Sequence, residues 1–198
     1  MKDATHELLA LSHRIHAHPE LGFEEERAAA WLGAALDDAG FAVERGICEL
    51  PTAFRARVGS GPLHLAICAE YDCLPAIGHA CGHNIIAASA VGAALALARV
   101  ADDVGLTVTV VGTPAEEGGG GKIMLLDRGA FAGMHAAMMV HPAPIDVIEP
   151  PILALTQFEV RYAGKEAHAA AFPEYGINAA DALTVAQTAI GLLRQHIR

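Results

Sequence analysis

The chain has 198 residues, 53% of them hydrophobic, which suits one ordinary domain, or one domain with part of another, around a real core. A formal net charge of −10 and a pI near 5.5 argue against nucleic acid or an anionic membrane surface as partner, because phosphate-neutralising clusters of Lys and Arg are missing. The longest apolar run, Ile85 to Ala98, is broken by Ser89 and Gly92 and is too short to read as a bilayer span. Four cysteines follow a polar start, Met1-Lys-Asp-Ala-Thr-His-Glu7, with no secretory leader, so reduced thiols in a cytoplasm are expected.

Residues 4 to 17 place Leu8, Leu9 and Ile15 at helical spacing, and Glu24 to Ala39 reads as a second helix ending at Gly40. Both are expected at the surface with one apolar face. His13, His16 and His18 then form a solvated cluster that Pro19 closes. Strands are predicted near 41–45, 53–58 and 63–69, with Gly59-Ser-Gly-Pro62 as the turn between the last two. Leu63 to Ala69 is apolar enough for a strand covered on both faces. Ile85 to Val100 reads as a buried, alanine-rich helix, Leu106 to Val111 as a strand, and Lys122 to Asp127 as a short helix. Ala137 to Val140 is predicted as a buried strand ending at His141-Pro142. After Pro150-Pro151 the pattern changes: Ile152 to Tyr162 reads as a strand, 164–176 as a loop, and 178–197 as a helix capped by Asn178. Strands alternating with helices make this an α/β layer structure with a largely parallel sheet.

Ligands of such sheets bind at the carboxyl ends of the strands, and three polar clusters fall there: Glu70 to His83, Glu116 with Glu117, and His141. Cys81 and His83 lie two apart, flanked by glycine, which suits coordination of a borderline-soft cation better than a buried thiol beside a capping imidazole. His79, close by, reads as a ligand or as mere loop polarity. Glu116 and Glu117 are adjacent and cannot both point at one atom, so one suits metal while the other handles protons. Glu70 and Asp72 could ligate metal, hold an imidazole in one tautomer, or stand as carboxylates at a sheet edge. His141, at a strand end, reads as a ligand. His168, in the second segment, could reach the site only across a domain or subunit boundary. The glycine run is no phosphate cradle, because Glu116 stands where the first glycine is needed and Ile123 follows Lys122.

Taken together, His16-Ala-His-Pro-Glu-Leu-Gly22, Glu70-Tyr-Asp-Cys-Leu-Pro75, Gly78-His-Ala-Cys-Gly-His-Asn84, Gly112-Thr-Pro-Ala-Glu-Glu-Gly118 and Gly164-Lys-Glu-Ala-His168 with Gly176-Ile-Asn-Ala-Ala180 resemble the M20 metallopeptidases. Within them the chain is similar to the amidohydrolase branch of p-aminobenzoyl-glutamate hydrolase and Xaa-Arg dipeptidase type. The resemblance implies a three-layer metallopeptidase-type domain over 1–149 and the first part of an α+β lid or dimerisation domain over 150–198. It implies two divalent ions, Zn²⁺ or Mn²⁺, held by Cys81, His83, Glu117 and His141, with Glu116 as general base. Glu70 and Asp72 are further possible ligands or their supports, Glu70 standing where Asp is commoner. His168 is implied to reach the active site of the other subunit and stabilise an oxyanion. Asn84 replaces an Asp, which fits the dipeptidase-like branch. The implied activity is hydrolysis of the amide bond of N-acyl amino acids or small dipeptides by a metal-activated water. The implied partners are a small amide or dipeptide substrate and a second copy of the chain, with neither nucleic acid nor membrane.

Members of that family continue past this length to supply a last histidine ligand and much of the pocket, so the chain matches the N-terminal half. The alternative expectation is therefore a truncated, catalytically silent metal-binding fragment that needs a partner chain carrying the missing C-terminal half. A cysteine hydrolase built on Cys81 and His83 is disfavoured, since it leaves Glu116 and Glu117 without a role.

Overall fold

Apolar residues spaced three and four apart give the first two helices their buried stripes: Leu11 and Ile15 in α1 (Ala4–His16), and Ala28, Leu32 and Leu36 in α2 (Glu26–Asp38). The chain continues through β1 (Ala42–Arg45), β2 (Phe54–Val58), β3 (Leu63–Ala69), α3 (His83–Ala98), β4 (Leu106–Gly112), α4 (Gly121–Asp127) and β5 (Ala136–Met138). The last helix is α5 (Ala179–Leu193). This computed structural model describes residues 4–151, 156 and 158–197. Two compact units divide the chain, Met1–Asp146 and Val147–Arg198.

In the first unit the five strands form one sheet in the order β1-β2-β4-β3-β5. Its centre is parallel: β3 pairs with β4 from Leu63↔Leu106 to Ala69↔Gly112, and with β5 from Leu65↔Ala136 to Ile67↔Met138. β1 and β2 add an antiparallel edge, β2 pairing with β4. The Gly59–Pro62 turn therefore makes no hairpin, because β4 lies between the two strands the turn connects. Gly61 packs directly on that strand's entry: a Cβ there would lie 1.9 Å from the Gly105 carbonyl carbon.

Alternate residues of the central strands face two different cores, as the two-residue side-chain period requires. Ile67, Ala69, Val108 and Val110 pack with Leu11, Ile15, Leu32 and Leu36 of the first two helices and Val91 of α3. Ala66 and Val111 face the other way, onto Ile47, Leu50 and Leu125 of α4. The result is three layers, α1 to α3 on one face of the sheet and α4 on the other. Small residues let α3 approach closely; a Cβ on its Gly92 would come within 2.9 Å of Leu8.

Two expectations are corrected. Ala137 to Val140 is not a buried strand: β5 covers 136–138 and all three residues are exposed. Among the described residues it is the sheet's edge, paired through β3 alone, and an apolar run reads alike whether or not its faces are covered. The strand expected over Ile152 to Tyr162 is absent from 158–162, which carry no ladder; 152–155 and 157 lie outside the described residues. In the second unit, among the described residues, the one bridge is Lys165↔Ile177. Asn178 caps α5 as expected, its side-chain oxygen accepting the Ala180 N–H at 3.1 Å. Among the described residues no helix is long and apolar enough to cross a membrane.

Candidate metal centre

The carboxyl ends of β3, β4 and β5 are neighbours in the sheet, and the chain leaves each of them into a loop that carries candidate ligands. Glu70 follows β3 directly. The next loop turns through left-handed backbone at Ala76, Gly78 and Gly82 before α3 begins at His83. Gly82, at φ +79°, also abuts Pro142, where a Cβ would lie 2.9 Å from the ring. The loop after β4 is equally tight. A Cβ on Gly121 would meet the Pro114 carbonyl oxygen at 2.0 Å, so the glycine run folds the loop back on itself and carries Glu116 and Glu117 toward β3.

A buried carboxylate fixes that loop from behind. Glu25, fully buried, accepts the Ala115 N–H at 2.7 Å and the Thr52 hydroxyl at 2.9 Å. Ala115 has φ +55°, a conformation that non-glycine residues adopt at a cost of about 1–2 kcal/mol. Burial pushes the Glu25 carboxyl above its ordinary value, against the pull of these hydrogen bonds.

His83 is the hub. Its ring is fully buried; Nδ1 lies 2.9 Å from Asp72 Oδ1, and Asp72 Oδ2 accepts the Glu117 N–H at 2.9 Å. The opposite nitrogen, Nε2, faces three carboxylates: Glu70 Oε2 at 3.4 Å, Glu117 Oε1 at 3.5 Å and Glu116 Oε2 at 3.9 Å. Burial disfavours the imidazolium, but the hydrogen bond and charge of Asp72, with Glu70 and Glu117, outweigh it and hold the His83 pKa above its ordinary value. Burial and then the Glu70 charge push Glu116 up, while Lys122 pulls it down. The Cys81 thiol donates to Glu117, and that bond, then burial, raises its pKa to about 11.

Two sets of donor atoms lie within 4.8 Å of one another, Glu70 with His83 and His141, and His83 with Glu116 and Glu117. The His141 ring stands perpendicular to that of His83, 6.1 Å between centroids. His83 Nε2 is buried without a hydrogen-bond partner, a costly state unless a cation takes its lone pair. Together with the thiol, imidazole and carboxylate donors, this fits a divalent metal.

Seven of the nine residues weighed in the sequence thus meet here: Glu70, Asp72, Cys81, His83, Glu116, Glu117 and His141. Cys81 joins through Glu117 and belongs to neither donor set. His168 is in the other unit, exposed, its Nδ1 accepting the N–H groups of Ala170 and Ala171 at 3.2 Å. His79 is buried against His16, ring centroids 6.2 Å apart, so the histidine cluster of α1 reaches the site loop at one member. Asn84 turns away from the donors and donates to Ser12 Oγ at 2.9 Å, tying α3 to α1.

Sequence reasoning missed Lys122, whose ammonium is ion-paired with Glu70 Oε1, and Glu25. A lone lysine directly after a glycine run that carries two glutamates was a usable signal; for Glu25, one of three consecutive glutamates, nothing local separates it from its neighbours.

The sequence profile described as Peptidase family M20/M25/M40 matches residues 68–194. The chain is 42% identical to the Xaa-Arg dipeptidase of Mus musculus, over 99% of this chain and 49% of that enzyme. It is 36% identical to a p-aminobenzoyl-glutamate hydrolase subunit of Escherichia coli, over 94% of this chain and 43% of that protein. Among solved structures, a Bacillus subtilis protein described as a dinuclear metal-binding peptidase superposes with a TM-score of 0.63 at 26% identity, over 69% of this chain and 43% of that one. The chain spans about half the length of the curated relatives it matches.

Proposed function

The chain belongs to peptidase family M20/M25/M40, and on that premise we propose that it supplies the metal-binding part of a hydrolase cleaving the amide bond of N-acyl amino acids or small dipeptides. The observation that carries the reading is the buried His83 ring, anchored by Asp72 on one nitrogen and surrounded by carboxylates on the other. Cys81, His83, Glu117 and His141 are assigned as ligands of two divalent ions, Zn²⁺ or Mn²⁺, for which mixed sulfur, nitrogen and oxygen donors are suited. When bound, the ions supply Lewis acidity, polarising a carbonyl and making water a better nucleophile near neutral pH.

Glu116 is assigned as the general base. Its side chain is 44% exposed, more than that of Glu117, so it can meet a substrate water. Its raised pKa makes it a stronger proton acceptor than an ordinary glutamate and a competent donor to the leaving amine afterwards. Asp72 keeps the His83 ring in one tautomer. His168 is assigned to the oxyanion. Its Nδ1 is occupied as an acceptor, which leaves the proton on Nε2 for donation outward.

We assign 1–149 to the catalytic domain and 150–198 to a lid, a division supported by the break between the two units. A homodimer is supported by the exposed apolar side chains of the second unit, among them Phe158, Val185 and Leu192. Four free thiols support a cytoplasmic setting.

The exposed β5 edge favours a second reading: the chain binds metal, and hydrolysis requires a partner chain that covers this edge and adds ligands. Metal analysis of the purified chain, with a dipeptide and acyl-amino-acid hydrolysis screen run with and without chelator, tests both. Chelator-sensitive release of an amino acid supports the first reading. Bound metal without turnover supports the second, and neither metal nor turnover contradicts both.

A further inference from the structure

Two ion placements exist around His83, and they compete. His83 belongs both to the Glu70–His83–His141 set and to the His83–Glu116–Glu117 set, and the nitrogen that faces Glu70, Glu116 and Glu117 is Nε2, yet one imidazole nitrogen offers one lone pair and serves one ion. Distance does not choose between them, since Glu70 and Glu117 stand 3.4 and 3.5 Å from that nitrogen. Charge does. The carboxylate of Glu70, 1% exposed, is ion-paired through Oε1 with Lys122, so the first set presents no net charge to an incoming ion. The second presents two carboxylates, neither ion-paired with a lysine or arginine among the described residues, with the Cys81 thiol hydrogen-bonded to one of them. Affinity of an oxygen-rich site for a dication follows the charge of its ligands.

We infer that Lys122 is a positioning residue for the metal: its ammonium reserves Glu70 and directs the ion on His83 to the Glu116–Glu117 side. The inference rests on the metal-centre reading above. Lys122 is part of the site's architecture and touches no reacting atom. Glu70 accordingly holds the lysine in place, and its second oxygen, buried and without a hydrogen-bond partner beside His83, becomes a strong donor to metal only when the ammonium is removed.

The test is Zn²⁺ titration against a chromophoric chelator for wild type, Glu70→Gln, Lys122→Met and the double variant, completing a cycle in which coupling separates direct ligation from through-space charge. In the wild-type background Glu70→Gln changes affinity by less than about threefold; Lys122→Met tightens binding by about tenfold; adding Glu70→Gln to Lys122→Met abolishes that gain. A Glu70→Gln effect equal in both backgrounds overturns the inference, as does a tenfold loss from Glu70→Gln alone. Should Lys122→Met fail to fold with Glu70 left unpaired, Lys122→Gln, which retains a hydrogen bond without the charge, enters the same cycle with the same outcomes. Wild type that takes up no Zn²⁺ overturns both this inference and the metal-centre reading, whereas uptake without coupling overturns this inference alone.

Discussion

Asp72 and His83, eleven positions apart, meet through a 2.9 Å contact between Oδ1 and Nδ1 with neither side chain exposed to solvent. That contact dictates which face of the imidazole is available, and the other oxygen of Asp72 holds the Glu117 backbone. One carboxylate thereby orients two of the assigned ligands.

Asp72→Ala is therefore expected to weaken Zn²⁺ binding by about 10–100-fold, although it removes no ligand. Calorimetric titration measures the change, and circular dichroism confirms the fold. A change below about threefold contradicts the orienting role.

Cys81 gives metal binding a pH dependence. Its thiol pKa of about 11 means that it is protonated at neutral pH and must lose its proton to ligate. Affinity should climb as pH rises toward that value, with a proton released on binding. Titration in buffers of different ionisation enthalpy counts the proton. The count should fall in Cys81→Ser, the remaining release coming from His83, whose pKa is also raised, and an unchanged count contradicts ligation by this thiol.

Glu116 and Glu117 should separate in function. Glu116→Gln lowers turnover by about 10²–10⁴-fold with metal retained, whereas Glu117→Gln lowers metal content itself. Parallel metal analysis and hydrolysis assays distinguish the two. Equal loss of metal in both variants contradicts the division of labour.

Much of this was legible in the sequence, and the reasons differ by element. β3 and β4 announced themselves because a largely apolar run of strand length suits a strand buried on both faces. The site loops did so because thiol, imidazole and carboxylate within glycine-rich segments have few structural uses. β5 was placed but its burial was misjudged, since composition does not record what covers a strand. Lys122 entered the reading as the start of a short helix and in excluding a phosphate site; its partner Glu70 lies 52 positions away, and no local pattern reports that distance. The same holds for Glu25, 90 positions from the Ala115 amide it accepts.

Glu25 supplies a stability test. Glu25→Ala leaves the Ala115 N–H and the Thr52 hydroxyl without their acceptor and should cost about 1–3 kcal/mol, read as a lower Tm. In wild type the folded carboxyl has a pKa raised above 4.5, so the folded state binds the proton more tightly than the unfolded one. Its contribution is complete below pH 4.5 and declines as pH rises through the folded value. Against Glu25→Gln, wild type should lose relative Tm across that window as pH increases. A difference that stays flat contradicts the burial of an ionisable group there.

The most direct test of the metal centre is Zn²⁺ titration of wild type against His83→Ala, with circular dichroism to confirm that both are folded. A loss of at least about 100-fold in affinity is expected, since His83 is assigned as a ligand and loss of an outer partner alone reaches that magnitude. Equal affinity in the two folded proteins would contradict it.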